Sequence, residues 1–482
     1  MTNATTEPHL FVILGGRGDL MHRKLLPALY RLYRRGLFPA GCCFLGAGRG
    51  ESTDEEFQEY ARGSLAEAGF TMTPDAVRWC NESIFYQAIG GDDGYRKLAD
   101  RIQALEQARD LPGNRIFYLA LPPSVFPASI EGLGETGLNQ SAGWTRLVIE
   151  KPFGRDLSTA EELNRLVHRY FAEEQVYRID HYLGKETVQN LLVFRFANAL
   201  TEPIWNRERV ERVEITVAES LGIEDRSGYY EKAGAMRDMI QNHLAQLLTL
   251  TAMEVPGAFE ADAIRNEKVK ALRAVTPLQP DAVVFGQYTA GEMGGKPAAG
   301  YRDEAGVAPD SETESYVAIR LEVNNWRWQG VPFILRTGKR LPRRTSQIVV
   351  TFRRPPVALF AEFRGESVEP NRLVITIQPD EGFDLSFEVK APEEPYRLET
   401  QYLRFRYADV HTGLPDAYET LLLDVMNGDA TLFVRADEVE AAWHLFSPLL
   451  ENRPKVYPYA AGTWGPKEAD ELLGGDGPWA TR

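Results

Sequence analysis

The spacing of apolar residues changes once along this chain, near residue 181. Before that point, short continuous apolar runs alternate with helical patterns. Leu10-Phe11-Val12-Ile13-Leu14 is the first run, and Leu25, Leu26, Leu29, Tyr30 and Tyr33 follow it at helical spacing. Further runs stand at 42–46, 115–121, 146–150 and 176–180, with an amphipathic helix at 157–173. A run too short for a helix and apolar throughout fits a strand buried on both faces. Such strands separated by helices predict a parallel, doubly wound sheet. Pro122-Pro123 halts the 115–121 strand, and Ser124 is placed to cap the next helix.

Beyond 181, apolar and polar residues alternate at 210–219, 315–324, 347–353, 373–378, 384–389 and 401–407. Period two predicts half-buried strands, hence a large, mainly antiparallel sheet. Residues 289–314, rich in Gly, Ala, Asp and Glu, read as a loop, and Gly474, Gly475, Gly477 and Pro478 as a loose tail. One helix interrupts the sheet at 234–251. Met236, Met239, Ile240, His243, Leu247 and Leu250 share one of its faces. The pattern contains no internal repeat. The expected fold is α/β plus α+β: a Rossmann-like dinucleotide-binding domain at 1–180, then a larger domain with a mainly antiparallel sheet at 181–482.

A length of 482 residues agrees with two domains. A net charge of −15 argues against a nucleic-acid partner, and any phosphate site must be a local basic cluster. No apolar run approaches the roughly 18 residues that would span a membrane, and the first residues lack a basic-then-apolar signal. Cys42, Cys43 and Cys80 have no metal-ligand spacing and read as buried thiols in a reducing compartment, which predicts a cytoplasmic protein with no metal.

Four stretches carry candidate chemistry. Gly15-Gly16-Arg17-Gly18-Asp19-Leu20 joins the first strand to its helix. Glycines let the backbone approach a pyrophosphate, and the helix start offers N–H groups to it; the same turn also occurs without a coenzyme. Arg49 ends the second strand, where an acid would suit NAD and an arginine suits the 2′-phosphate of NADP. Lys151, at the carboxyl end of a strand, faces the ligand crevice of an open sheet, and Lys151-Pro152 is a candidate cis bond. Arg178-Ile179-Asp180-His181-Tyr182-Leu183-Gly184-Lys185 packs acid, imidazole, phenol and cations into eight residues. It reads either as a solvated loop or as a site in which Asp180 orients a base and His181 and Lys185 grip a phosphate.

His243 also has two readings: a satisfied core histidine, or a general base with Asp180 on its far nitrogen. Asp238 lies five residues before it, about 140° round an ideal helix. Both can face one substrate only if the helix begins late or bends.

At these residues the chain resembles the glucose-6-phosphate dehydrogenase family over nearly its whole length. Residues 15–20 with Arg23-Lys24 resemble the family's coenzyme turn, and Glu150-Lys151-Pro152-Phe153-Gly154 its Glu-Lys-Pro-Phe-Gly element. Residues 178–190 resemble its active-site signature, and Gly228-Tyr229-Tyr230, Gly234, Arg237-Asp238-Met239 and Gln241-Asn242-His243 its catalytic helix. Val331-Pro332-Phe333 and 336–341 resemble a later substrate-binding segment. Arg17 departs from the family's small Ser or Thr, and Met21-His22 from its Ala-Lys; Arg17 would tighten NADP or reshape the adenine end.

The resemblance implies oxidation of glucose 6-phosphate at carbon 1, with NADP as hydride acceptor and NAD as a weaker alternative. It implies His243 as base and Asp180 as its partner. His181, Tyr182 and Lys185 would hold the phosphate, with Lys339 and Arg344 near it. Lys151, Glu219, Asp238 and Gln378 would bind sugar hydroxyls, with Lys24 nearby. Gly15, Gly16, Arg17, Gly18, Asp19, Leu20, Arg49 and Lys151 would address the coenzyme. It also implies a homodimer or homotetramer associating through the second domain's sheet. A different sugar oxidoreductase using Lys151 would not need the cations His181, Lys185 and Lys339. A silent NADP-binding relative would have lost the base or its partner.

Overall fold

The computed structural model describes residues 6–39, 41–357, 359–360, 368–392, 397–411, 413–475 and 478–481. Gly477, part of the expected tail, and the first five residues lie outside them. The chain divides into two compact units. The first runs through Gly184 and includes Glu260–Arg265 and Pro415–Val439; the second holds the rest.

The first unit is built on six parallel strands: β1 (Leu10–Leu14), β2 (Cys43–Gly48), β3 (Ile84–Ala88), β4 (Arg115–Leu119), β5 (Thr145–Ile149) and β6 (Val176–Arg178). Their order is β3-β2-β1-β4-β5-β6, so the winding reverses between β1 and β4. Every residue of β1 is buried, as its unbroken apolar run requires. Residues 415–439 belong here for a physical reason: the helix Ala417–Asn427 buries Leu421, Leu422, Val425 and Met426 in the same core as Tyr177 and Ile179. All three thiols are buried and free. Burial pushes Cys42 and Cys80 up to about 11 and Cys43 to about 12.

Two expectations need correction in this unit. Ser124 caps no helix: it lies inside a 3₁₀ turn, Pro123–Val125, that runs directly into the helix Phe126–Glu135. The first N–H of that helix, on Phe126, donates to the carbonyl of Pro123, and Pro127 has none to offer a cap. The helix expected at 157–173 is Leu157–Tyr170, capped by Asp156, and Phe171 is already extended.

The second unit holds β7 (Val210–Ala218), β8 (Val283–Thr289), β9 (Gly291–Met293), β10 (Lys296–Ala298), β11 (Tyr316–Glu322), β12 (Pro332–Gly338), β13 (Thr345–Phe352), β14 (Arg372–Gln378), β15 (Gly382–Lys390), β16 (Leu398–Arg406) and β17 (Val456–Ala460). Nine of them form one sheet in the order β16-β15-β14-β13-β7-β12-β11-β8-β17. The β7–β12 and β8–β17 pairs are parallel and the others antiparallel. Alternation did not mark β12 because that central strand is buried at every position.

The expected loop at 289–314 contains a hairpin, β9–β10. Gly294 and Gly295, at φ 56° and 78°, supply the two positive values that a type I′ turn demands. The tail is packed rather than loose at 478–481. Trp479 is buried with the Arg336 guanidinium 4.0 Å over its ring, and Arg336 also donates to the carbonyl of Thr481 at 2.7 Å.

Candidate active site

The glycine turn sits at the point where the first sheet reverses its winding. Gly15 has φ 94°, and a Cβ there would lie 2.1 Å from the carbonyl oxygen of Ala120, just past β4. At Gly16 it would lie 2.6 Å from Cα of Gly46 in β2. The N–H groups of Gly15 and Gly16 both donate to the Ala47 carbonyl, and that of Gly18 to Gly15. Only bare backbone fits between three strand ends. The helix that follows starts at Asp19 and passes into a π turn, Met21–Leu25, with no side-chain cap at that turn. An uncapped start beside glycine backbone suits a pyrophosphate.

Arg17 is exposed with its guanidinium 5.7 Å over the Tyr60 ring. It helps Gly18, Asp19, His22 and Tyr60 line a cavity of about 580 Å³. Asp19 pairs with Arg23 at 2.7 Å. Arg49 is exposed just beyond β2. The residues of this site fit a phosphorylated dinucleotide, with bare backbone for the pyrophosphate and arginines at two adjacent loops.

Past β5, Glu150 accepts hydrogen bonds from Tyr118 (2.5 Å) and Tyr418 (3.1 Å). Burial lifts its carboxyl above the ordinary range, and the two phenols partly offset that. Lys151 is half-buried, and its bond to Pro152 is cis. Lys24 donates to Asp416 at 3.1 Å, at the start of the helix Ala417–Asn427. In the octet, Arg178 is structural: buried, it donates to Glu173 at 2.7 Å and Asn164 at 3.0 Å. Asp180 is buried and accepts the Tyr182 N–H at 2.9 Å, while the His181 and Tyr182 rings lie 5.1 Å apart. Gly184 has no room for a side chain, since a Cβ would lie 2.6 Å from the Ala417 carbonyl.

In the second unit, three of the expected residues meet. Lys185 Nζ (2.6 Å) and Arg344 Nη2 (3.0 Å) both donate to Oε1 of Gln378, whose Nε2 donates to Ser346 at 2.8 Å. A neutral amide thus gathers two cations without neutralising either. Gln378 ends β14, and its bond to Pro379 is cis; the sequence offers a Gln-Pro pair there as the signal. Lys339 and Glu219 also meet, at 2.6 Å, with the ammonium 5.0 Å over the Tyr230 ring. They follow β12 and β7, adjacent parallel strands, so both stand at the same end of the sheet.

The helix bearing His243 begins late and is wound wide. Gly234 breaks the preceding helix at φ 63°, ψ 175°, and Met236–Leu244 is π-helical before Ala245–Ala252 continues as α. A π turn closes i→i+5 bonds, so residues five apart come one above the other. That resolves the 140° separation of Asp238 and His243. Both are buried, and Asp238 accepts the Tyr229 hydroxyl at 3.1 Å.

Glu314 supports this start, and the sequence did not point to it. Its Oε1 accepts the Met236 N–H at 3.2 Å, its carbonyl the Ala235 N–H at 2.9 Å, and its Oε2 pairs with Arg453 at 2.5 Å. It caps from 78 positions away, beyond the reach of any local cap pattern.

Two family models match the chain in succession. The family described as glucose-6-phosphate dehydrogenase, NAD binding domain, matches residues 12–190, and that described as glucose-6-phosphate dehydrogenase, C-terminal domain, matches 192–480. The chain is 46% identical over 477 residues to glucose-6-phosphate 1-dehydrogenase of Aggregatibacter actinomycetemcomitans, covering 97% of this chain and 96% of that one. It is 44% identical over 498 residues to the protein of the same name from Treponema pallidum, covering 99% and 95%. A solved glucose-6-phosphate dehydrogenase in complex with its substrate glucose-6-phosphate aligns over 100% of both chains, with a TM-score of 0.91 and 35% identity. A solved glucose-6-phosphate 1-dehydrogenase from Mycobacterium avium aligns over 98% of each, with a TM-score of 0.84 and 34% identity.

Proposed function

Since the chain belongs to the glucose-6-phosphate dehydrogenase family, we propose how its own residues carry out that family's reaction. The enzyme oxidises D-glucose 6-phosphate at carbon 1 to 6-phosphoglucono-1,5-lactone, the first step of the oxidative pentose phosphate pathway. Bound NADP supplies the hydride acceptor.

His243 takes the proton of the carbon-1 hydroxyl, and the hydride leaves carbon 1 with its electron pair as the carbonyl forms. Asp180 holds the imidazole and stabilises the imidazolium. A base near neutral pKa is what a hemiacetal oxidation needs. His181, Tyr182, Lys185, Lys339 and Arg344 bind the phosphate. Lys24, Lys151, Glu219, Asp238 and Gln378 orient the sugar. Binding energy from the remote phosphate then serves to hold carbon 1 in register. Gly15, Gly16, Arg17, Gly18, Asp19, Leu20, Arg49 and Lys151 address the coenzyme, within a binding region at 1–180; residues 181–482 carry substrate and subunit contacts.

The observation that carries this assignment is the convergence of Lys185 and Arg344 on one Gln378 oxygen, a neutral link between cations that suits a doubly negative ligand. The test is reduced-nicotinamide absorbance with glucose 6-phosphate, in parallel with NADP and NAD, and with free glucose as control. Equal turnover of free and phosphorylated glucose would remove the phosphate role.

A homodimer or homotetramer is supported by β16, which exposes Tyr402 (49%), Leu403 (62%) and Phe405 (39%) at the edge of the large sheet. A monomer in sedimentation equilibrium would contradict it. A cytoplasmic location is supported by three free buried thiols. Among the described residues no helix is long and apolar enough to cross a membrane. Cell fractionation tests the location.

A further inference from the structure

Among the described residues, three other than glycine hold a positive φ: Asp110 (52°), Glu224 (46°) and Arg340 (52°). Asp110 ends the helix Gly94–Arg109, where a left-handed residue is ordinary. Glu224 and Arg340 are 116 positions apart and are partners: Nη2 of Arg340 lies 3.4 Å from Oε1 of Glu224. The same guanidinium reaches Oε1 of Glu304 at 3.2 Å, which also accepts the Tyr288 hydroxyl at 2.9 Å. Gly222 makes room for this group. A Cβ there would lie 2.5 Å from Glu304 Oε1 and 2.8 Å from Arg340 Nε.

Left-handed non-glycine residues persist only where their surroundings over-determine them. Here the surroundings bracket Lys339 and Glu219. The Glu219 N–H donates to Gly338 (2.9 Å), that of Leu341 to Glu219 (3.0 Å) and that of Arg340 to Leu221 (3.1 Å). The Lys339 carbonyl accepts the Tyr459 hydroxyl at 2.6 Å, and the Arg340 carbonyl accepts the Gly462 N–H at 2.8 Å. The chain therefore turns sharply one residue after Lys339; the Arg340–Glu224 ion pair holds the turn to the segment that carries Glu219, and Glu304 holds the same guanidinium from the turn at 301–304.

We propose that Arg340, clasped between Glu304 and Glu224, is a positioning residue for substrate binding: it locks the left-handed turn that sets the Lys339 ammonium against Glu219. The inference rests on the reading that Lys339 and Glu219 meet the sugar phosphate. Arg340 itself touches no substrate. Its effect is on where Lys339 stands, and so on KM rather than on hydride transfer.

The experiment measures kcat, KM for glucose 6-phosphate and NADP affinity by fluorescence for Lys339→Ala, Arg340→Ala, Arg340→Gly and Glu304→Gln. Arg340→Ala should raise KM about tenfold while kcat stays within about threefold, because a positioned cation is displaced rather than removed. NADP affinity should not move. Arg340→Gly, free to adopt the positive φ, should fall between Arg340→Ala and the parent. Glu304→Gln leaves the turn's own residues intact and should raise KM in the same direction; it decides the matter if Arg340→Ala does not fold. A lowered melting temperature with KM unchanged in Arg340→Ala and Glu304→Gln, while Lys339→Ala raises it, would make the clasp merely structural and overturn the proposal. An unchanged KM in Lys339→Ala overturns the Lys339 assignment itself, and the clasp's role with it.

Discussion

Among the described residues, two helices that follow a glycine held at positive φ contain a π turn near their start: Met21–Leu25 after Gly15, and Met236–Leu244 after Gly234. Their N-termini are treated in opposite ways. The first has no side-chain cap at Leu20, and the glycines before it are pressed against neighbouring strand ends. The second is plugged by the carboxylate of Glu314, against which Gly234 packs so closely that a Cβ would lie 2.2 Å from Oε1. An open helix start offers N–H groups to an anionic ligand. A start filled by the protein's own anion has no such use, and its glycine serves to let that anion in. The similar glycine–helix pattern thus leaves an open helix start in one unit and a start filled by Glu314 on the helix of His243 in the other.

The contrast is sharpest at the chemistry. His243→Asn should lower kcat by a factor on the order of 10²–10⁴ if the imidazole is the base, with NADP affinity unchanged. Near-normal turnover in the absorbance assay would sink that role. Next in size come the two glycines. Gly234→Ala places a Cβ into Glu314 and forces φ 63° on alanine, and should cost about 2–4 kcal/mol in urea unfolding, with kcat reduced. Gly15→Ala meets a backbone carbonyl at 2.1 Å and should cost as much, but with the functional loss in NADP affinity. Gly228→Ala is the control. It has open space around it and should change stability by no more than about 0.5 kcal/mol. Loss of the same kinetic parameter in both damaging variants would break the comparison.

How much of this was legible in the sequence follows from distance along the chain. Five strands of the first sheet were readable because their apolar runs are local, and the glycine turn because its residues are consecutive; β3 was missed because Gln87 breaks its short apolar run, Ile84-Phe85-Tyr86. His243 and Asp238 were visible as residues, but their alignment was not, because it depends on a π turn that ideal helix geometry excludes. The plug at Glu314 and the partners of Arg340 come from far away in the chain, where no cap or turn pattern can announce them. β12 was missed because full burial erases alternation, and the 478–481 segment because its glycine neighbours suggested mobility while Trp479 was already committed to Arg336.

The open start can be tested for its choice of ligand. Arg49 stands exposed beyond β2 and Arg17 over Tyr60, both in the first unit. Removing Arg49 should lower the NADP-to-NAD ratio of kcat/KM by about tenfold, the size of one charge-assisted contact to a phosphate. Arg17→Ala should act in the same direction and less. A ratio that does not move in either variant would separate the arginines from the 2′-phosphate.

The smallest expected effect tests whether the plug works by charge or by shape. Glu314→Gln keeps an oxygen to accept the Met236 N–H and loses the ion pair with Arg453. It should lower kcat by less than about tenfold, because the helix start keeps its hydrogen bond. Its signature is in the pH dependence of stability. Burial holds the Glu314 carboxyl above its ordinary range, although Arg453 opposes the shift. A carboxyl with a raised folded pKa keeps its proton in the native state after the unfolded chain has released it. Its favourable contribution is therefore complete below the unfolded pKa and is lost as pH rises through the folded one. Glutamine has no such titration. The melting temperature of the parent relative to Glu314→Gln should accordingly fall as pH rises from the ordinary carboxylate range. A difference that stays flat with pH would mean that Glu314 fills the helix start by shape alone, and that the two starts differ in who occupies them but not in electrostatics.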